Sequence, residues 1–209
     1  IQQFESEWDI GFVEKANAGL IFMRYLMTGA GGFIGRSVAR KLAVDHSLVL
    51  VGRNPVSLSK NTQFLRWDMS ESEGFSFPED VDAVVHLAQS DQYRKGAEGA
   101  LDMARVNTLA TAELLAQAHK AGVKRFCLVS TGTVYEPFRG PIVEDARLSP
   151  ESFLGATKLA AEMLALPYRS LMRVSTLRLF FPYGPGQLAR LIPDLIGRVR
   201  NSVPISLGG

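Results

Sequence analysis

A doubly wound α/β domain built on a parallel sheet is the fold this sequence predicts, and three observations predict it. From Arg24 onward, short apolar strands alternate with helical stretches that carry one apolar face. The run Val81–Ala88 (VDAVVHLA) is apolar almost throughout, as expected of a strand buried on both sides. A glycine cluster, Gly29 to Gly35, separates the first strand from the first helix.

The elements follow in order. Tyr25–Thr28 reads as the first strand, Ile34–Val44 as an amphipathic helix, Ser47–Val51 and Thr62–Arg66 as the second and third strands, and Val81–Ala88 as the fourth. Ala97–Ala121 is one long helical stretch interrupted only by Gly99, with Gly122 as its stop. Val123–Ser130 and Val174–Leu179 are further strands, with a helix between them ending near Tyr168. Repeated strand–helix units imply right-handed crossovers and a parallel sheet. Leu188–Ser202 reads as a helix despite Pro193, and Val203–Leu207 as strand-like before Gly208-Gly209.

At 209 residues the chain exceeds the ~150 typical of one domain, and its 46% hydrophobic content suits a packed core. Residues 1–22 show neither period and are read as an N-terminal extension of unknown role. Residues 23–187 form the sheet domain. Residues 188–209 begin a smaller second domain that the polypeptide is expected to continue.

Composition excludes several classes. Cys127 is the single cysteine, so no internal disulfide framework exists and a reducing, cytoplasmic setting is expected. The start, IQQFESEWD, is acidic and lacks the apolar stretch of a secretory signal. No apolar run reaches the ~18 residues of a membrane span. A net charge of +2 gives no reason to expect nucleic acid. The six arginines after residue 162 (Arg169, Arg173, Arg178, Arg190, Arg198, Arg200) face either an anionic small molecule or solvent. His46, His86 and His119 lack metal-ligand spacing, and no metal is expected.

The segment Thr28-Gly29-Ala30-Gly31-Gly32-Phe33-Ile34-Gly35 carries the strongest chemical signal. Gly29 permits a tight turn, Gly32 lets backbone approach a pyrophosphate, and Gly35 lets the helix pack close to the sheet. The N–H groups that open the helix, at Phe33 and Ile34, favour phosphate charge. A strand before and a helix after make this a Rossmann-type dinucleotide loop.

The spacing Gly-x-x-Gly-x-x-Gly resembles the extended short-chain dehydrogenase/reductase family, and an ordered series of motifs carries that resemblance across residues 23–209. His86-Leu87-Ala88 resembles its HLAA element, Asn107 with Thr111 and Leu114-Leu115 its NxxxTxxLL helix, and Ser130–Tyr135 its SSxxVYG strand end. Lys158 in ATKLAAE, Arg178 in LRLF and Tyr183-Gly184-Pro185-Gly186 complete the series.

The resemblance implies an NAD or NADP cofactor and a small-molecule substrate such as a nucleotide sugar, handled as an epimerase, dehydratase or reductase would handle it. It places Leu87, Ala88, Asp68 and Asn107 with the cofactor, Asn107 by supporting backbone or water near the site. It also implies pairing of two copies through the Ala97–Ala121 and Phe153–Tyr168 helices. At the end of the second strand, Gly52 stands where an acidic residue would bind ribose hydroxyls, and Arg53 follows. That arrangement favours NADP over NAD, unless Arg53 projects into solvent.

The family's Tyr-x-x-x-Lys places a phenol and an ammonium one helical turn apart, so that the cation lowers the phenol pKa. Here Thr131 matches the hydroxyl that meets the reacting oxygen, and Lys158 matches the lysine. The tyrosine position is Leu154, which cannot exchange a proton. Three readings stay open: an enzyme that recruits Tyr135, Glu136 or Tyr93; a cofactor-binding module without hydride transfer; or a chain whose tyrosine was replaced to trap a complex. Thr131-Gly132-Thr133 lacks the Asp-Glu pair of the related dehydratases, which points to epimerisation or carbonyl reduction.

Overall fold

The computed structural model describes residues 22–56, 61–71, 75–138, 140–187 and 190–205. The strands are β1 (Arg24–Thr28), β2 (Ser47–Gly52), β3 (Thr62–Arg66), β4 (Ala83–His86), β5 (Arg125–Thr131) and β6 (Arg173–Leu179). The helices are α1 (Phe33–Leu42), α2 (Ala100–Met103), α3 (Ala110–Lys120), α4 (Phe153–Ala165) and α5 (Leu191–Arg200). A π-helical turn, Ala104–Leu109, joins α2 to α3.

All strand pairs are parallel and the order is β3-β2-β1-β4-β5-β6. The chain runs outward from β1 to β3, then returns to the other side of β1 as β4. The loops after β1 and β4 therefore diverge and open a crevice at the carboxyl ends of the strands.

Successive residues of a strand face opposite sides, which explains the continuous apolar runs. Leu26, Val49, Val51, Val84, Phe126 and Leu128 pack against Leu114, Leu115 and Ala118 of α3 and Ala161 and Ala165 of α4. Met27, Leu48 and Leu50 face the other way, onto Ala39 of α1, with Val38 and Leu42 beside it. Each fully buried leucine here, Leu114 for example, contributes roughly 1.5–3 kcal/mol.

Two predicted elements differ. Ala97–Gly99 belong to a 3₁₀ segment, Asp91–Gly99, kinked at Gly96, and the helix proper begins at Ala100. Gly99 permits this because a Cβ there would lie 2.4 Å from the Gln92 carbonyl oxygen. Val203–Ile205 form no strand: among the described residues β6 is the last strand of the sheet, and nothing pairs with it on its outer side. The expectations for residues 1–21 and 206–209 lie outside the described residues.

Candidate functional site

The crevice is a cleft of about 1150 Å³, bounded by the glycine loop, the ends of β2, β4 and β5, one face of α4 and the segment after β6. At its centre Gly29 adopts a φ of 71°, and a Cβ there would sit 2.7 Å from the Ala88 nitrogen. A Cβ on Gly35 would lie 2.0 Å from the Gly29 carbonyl oxygen. Helix α1 thus rests directly on the loop. Gly32 is the N-cap and no side chain caps the helix, so the N–H groups of Phe33, Ile34 and Gly35 open toward the cleft they line.

Beneath this loop runs a chain of hydrogen bonds, buried from Thr28 through Asn107, with one consistent direction. Ala88 N–H donates to Thr28 Oγ1 at 3.1 Å, and Thr28 Oγ1 lies 2.7 Å from His86 Nδ1. His86 Nε2 lies 2.9 Å from Thr111 Oγ1, which donates to the Asn107 carbonyl at 2.7 Å. Because the Thr111 proton goes to Asn107, the imidazole carries its proton on Nε2 and accepts at Nδ1 from Thr28. Burial, with the Lys158 cation adding to it, pulls the His86 pKa down to about 3, which keeps this tautomer neutral.

The Asn107 side chain is spent in the same framework. Its Oδ1 accepts the Ser90 N–H at 2.9 Å and its Nδ2 donates to Thr157 Oγ1 at 3.0 Å. It ties the β4 loop to α4 from below and is not part of the cleft lining. Asn107 lies in the π-helical turn, Ala104–Leu109.

At the far end of the cleft, Thr131, Leu154 and Lys158 share the lining. Thr131 ends β5 and accepts the Thr133 N–H at 3.3 Å. Lys158 is 2% exposed and donates to the carbonyls of Val129 at 3.0 Å and Ala88 at 3.2 Å. An ammonium has three donors, so one remains for a ligand. Burial pulls the Lys158 pKa down to about 8, against the pull of Glu162, which favours the cation.

The three candidates to replace the missing phenol fare differently. Tyr135 donates its hydroxyl to the Glu144 carbonyl at 2.9 Å and accepts from Arg178, away from the cleft lining. Glu136 accepts from Ser152 N and Oγ at 3.1 and 2.8 Å, holding the N-cap of α4. Tyr93 alone of the three faces the cleft, where the Arg190 guanidinium donates to its hydroxyl.

At the opposite end, Arg53 and Asp68 also line the cleft, as do Leu87 and Ala88. Asp68 Oδ1 accepts from Ser70 N at 3.0 Å and from Ser70 Oγ at 2.7 Å, forming a turn. Burial raises the Asp68 pKa, but the Ser70 hydrogen bonds and nearby Arg53 and Arg66 outweigh it and leave the carboxyl below its usual range. Arg53 pairs with Asp91 at 2.9 Å. Asp91 and Asp102 carry no motif of their own, and sequence reasoning missed both.

With this geometry the sequence comparisons agree. The model of the NAD dependent epimerase/dehydratase family matches residues 25–209. The chain belongs to that family. It is 30% identical over 184 residues to an uncharacterized UDP-glucose epimerase of Bacillus subtilis, covering 79% of this chain and 58% of that protein. It is 32% identical over 197 residues to a UDP-glucose 4-epimerase of Vibrio cholerae, covering 88% of this chain and 58% of that one.

Among solved structures, a UDP-glucuronic acid 4-epimerase from Bacillus cereus in complex with NAD matches at a TM-score of 0.74 and 26% identity. That match covers 87% of this chain and 64% of the other. MoeE5 in complex with UDP-glucose and NAD matches at a TM-score of 0.72 and 32% identity, covering 84% and 60%. This member of the family thus spans about three-fifths of the length of these relatives. Among its described residues, no helix is long and apolar enough to cross a membrane.

Proposed function

We propose that this chain binds a nicotinamide dinucleotide in the cleft and that its substrate is a nucleotide sugar or a similar hydroxyl or carbonyl compound, turned over by epimerisation or reduction. The observation that carries the reading is the uncapped N-terminus of α1 set against glycines that no Cβ could replace. That cradle fits a pyrophosphate, and neighbours of the same fold hold NAD. Gly29, Gly32 and Gly35 would hold the pyrophosphate with the Phe33 and Ile34 N–H groups, Asp68 and Arg53 would face the adenosine half, and Leu87 and Ala88 would flank it with backbone. Lys158 would give its third donor to the nicotinamide ribose, and Thr131 would hydrogen-bond the reacting oxygen.

Bound nicotinamide supplies hydride acceptance and donation. The chain's own contribution is to orient the substrate oxygen at Thr131 and to place the Lys158 cation nearby. The reading extends to a cytoplasmic protein that pairs through α2 to α4, on which Leu101, Leu109, Phe153 and Met163 stand exposed. Sedimentation measures that pairing.

A second reading is favoured by one specific observation: Leu154 lines the cleft one turn before Lys158, and the Tyr135 hydroxyl is already committed elsewhere. On this reading the domain holds the cofactor without transferring hydride. Titration with NADH and NADPH tests the shared claim. Micromolar binding, about −8 kcal/mol, supports it, and no binding of either form overturns it. Turnover of UDP-glucose or UDP-glucuronic acid in the presence of NAD then separates an enzyme from a silent module.

A further inference from the structure

The end of β2 offers Gly52 where an acid would select against a 2′-phosphate, and Arg53 beside it invites one. The folded chain changes what that guanidinium presents. Arg53 Nη2 is 2.9 Å from Asp91 Oδ2, on the loop after β4, and both side chains stand on the cleft wall. Asp68 and Asp102, also on that wall, add to the field that stabilises the Arg53 cation. One carboxylate thus pairs with the guanidinium, and two more on the same wall act on it through their field. Arg36, another guanidinium lining the cleft, donates to the Gly31 carbonyl at 2.9 Å.

We propose that Asp91 is a specificity-determining residue: by occupying Arg53 from across the switch point it makes the cleft select NAD over NADP. The inference rests on the cofactor reading above. A 2′-phosphate would have to displace the Asp91 carboxylate and then lie beside it, within the field of Asp68 and Asp102, like charge against like. Two ribose hydroxyls meet the opposite situation, since a carboxylate accepts the hydrogen bonds they donate. The pair itself is half exposed and easily opened. The discrimination therefore comes from the carboxylate charge that stays in place after opening. The acid that other dinucleotide folds carry at the end of β2 is here supplied by the neighbouring β4 loop.

The test is the ratio of NADH to NADPH affinity by nicotinamide fluorescence, in the unaltered chain, in Asp91→Asn, and in Asp91→Asn combined with Arg53→Ala. The unaltered chain is expected to bind NADH more tightly. Asp91→Asn is expected to gain NADPH affinity on the order of tenfold, the size expected from removing one charge near a dianion in a wet site, while NADH affinity falls because the ribose hydroxyls lose their charged acceptor. Adding Arg53→Ala is expected to abolish most of that gain. Weaker NADPH binding in Asp91→Asn would overturn the inference, because Asp91 would then be presenting Arg53 to the phosphate. An unchanged ratio in a chain that binds both nucleotides overturns the inference alone. Failure of the unaltered chain to bind either one overturns the cofactor reading, and the inference with it.

Discussion

The Arg178 guanidinium on β6 grips both carboxylate oxygens of Glu162 on α4, with contacts from 2.7 to 3.2 Å. Glu162 is also the acceptor for Ser130 Oγ, and Arg178 lies over the Tyr135 ring with its Cζ 4.8 Å from the centroid. The pair staples α4, and with it Lys158, to the edge of the sheet. Replacing Glu162 by Gln leaves a largely buried guanidinium without its countercharge. The expected loss is about 2–4 kcal/mol of folding stability, measured as a lower urea midpoint at unchanged slope.

Acid stability should report on His86. Its folded pKa is about 3, well below the 6.5 of an exposed imidazole. Between those values the unfolded chain takes up a proton that the folded chain refuses, so stability falls as pH falls through that window. The His86 contribution to the slope approaches about 1.4 kcal/mol per pH unit. Unfolding midpoints across the window should show this component, and His86→Gln should remove it.

Lys158 acts at the alkaline end. Its folded pKa of about 8 lies below the ordinary 10.5. The buried cation is therefore a burden below pH 8, and its relief raises stability as pH climbs between the two values. Lys158→Met should flatten that alkaline slope, by the same measurement.

Gly35→Ala separates the cradle from the rest of the fold. The new Cβ would lie 2.0 Å from the Gly29 carbonyl oxygen, so the loop and α1 must part. Loss of NADH binding by at least tenfold is expected, with destabilisation of about 1–3 kcal/mol. A titration paired with a thermal melt checks both.

Leu154→Tyr tests whether the chemistry is missing one group. A phenol there lies one turn before the Lys158 cation. Nucleotide-sugar turnover is expected to rise roughly 10²–10⁴-fold over the parent chain. Tyr135→Phe in that background should leave the rate unchanged and lower stability by about 1 kcal/mol, because its hydroxyl serves Glu144 and Arg178. Assays with UDP-glucose and NAD read both variants.

Much of this protein was legible in one dimension because its determinants are local. Strand and helix periods, the glycine loop and the Leu154 substitution depend on residues a few positions apart, and strand–helix alternation with right-handed crossovers makes the sheet parallel. Thr131, Lys158, Arg53, Asp68, Leu87 and Ala88 all line the cleft.

The tertiary structure decided what each polar group is paired with. Asn107 turned out to be a strut between Ser90 and Thr157, and Tyr135 is held by groups nine and forty-three residues away. Arg53 meets Asp91 thirty-eight residues along the chain. A hydrogen bond or an ion pair depends on distances of about 3 Å, and no spacing in sequence carries that distance when the partners come from different strands. The sheet order, by setting β4 beside β1, brought Arg53 and Asp91 together, and by setting β6 beside β5 it brought Arg178 to Tyr135.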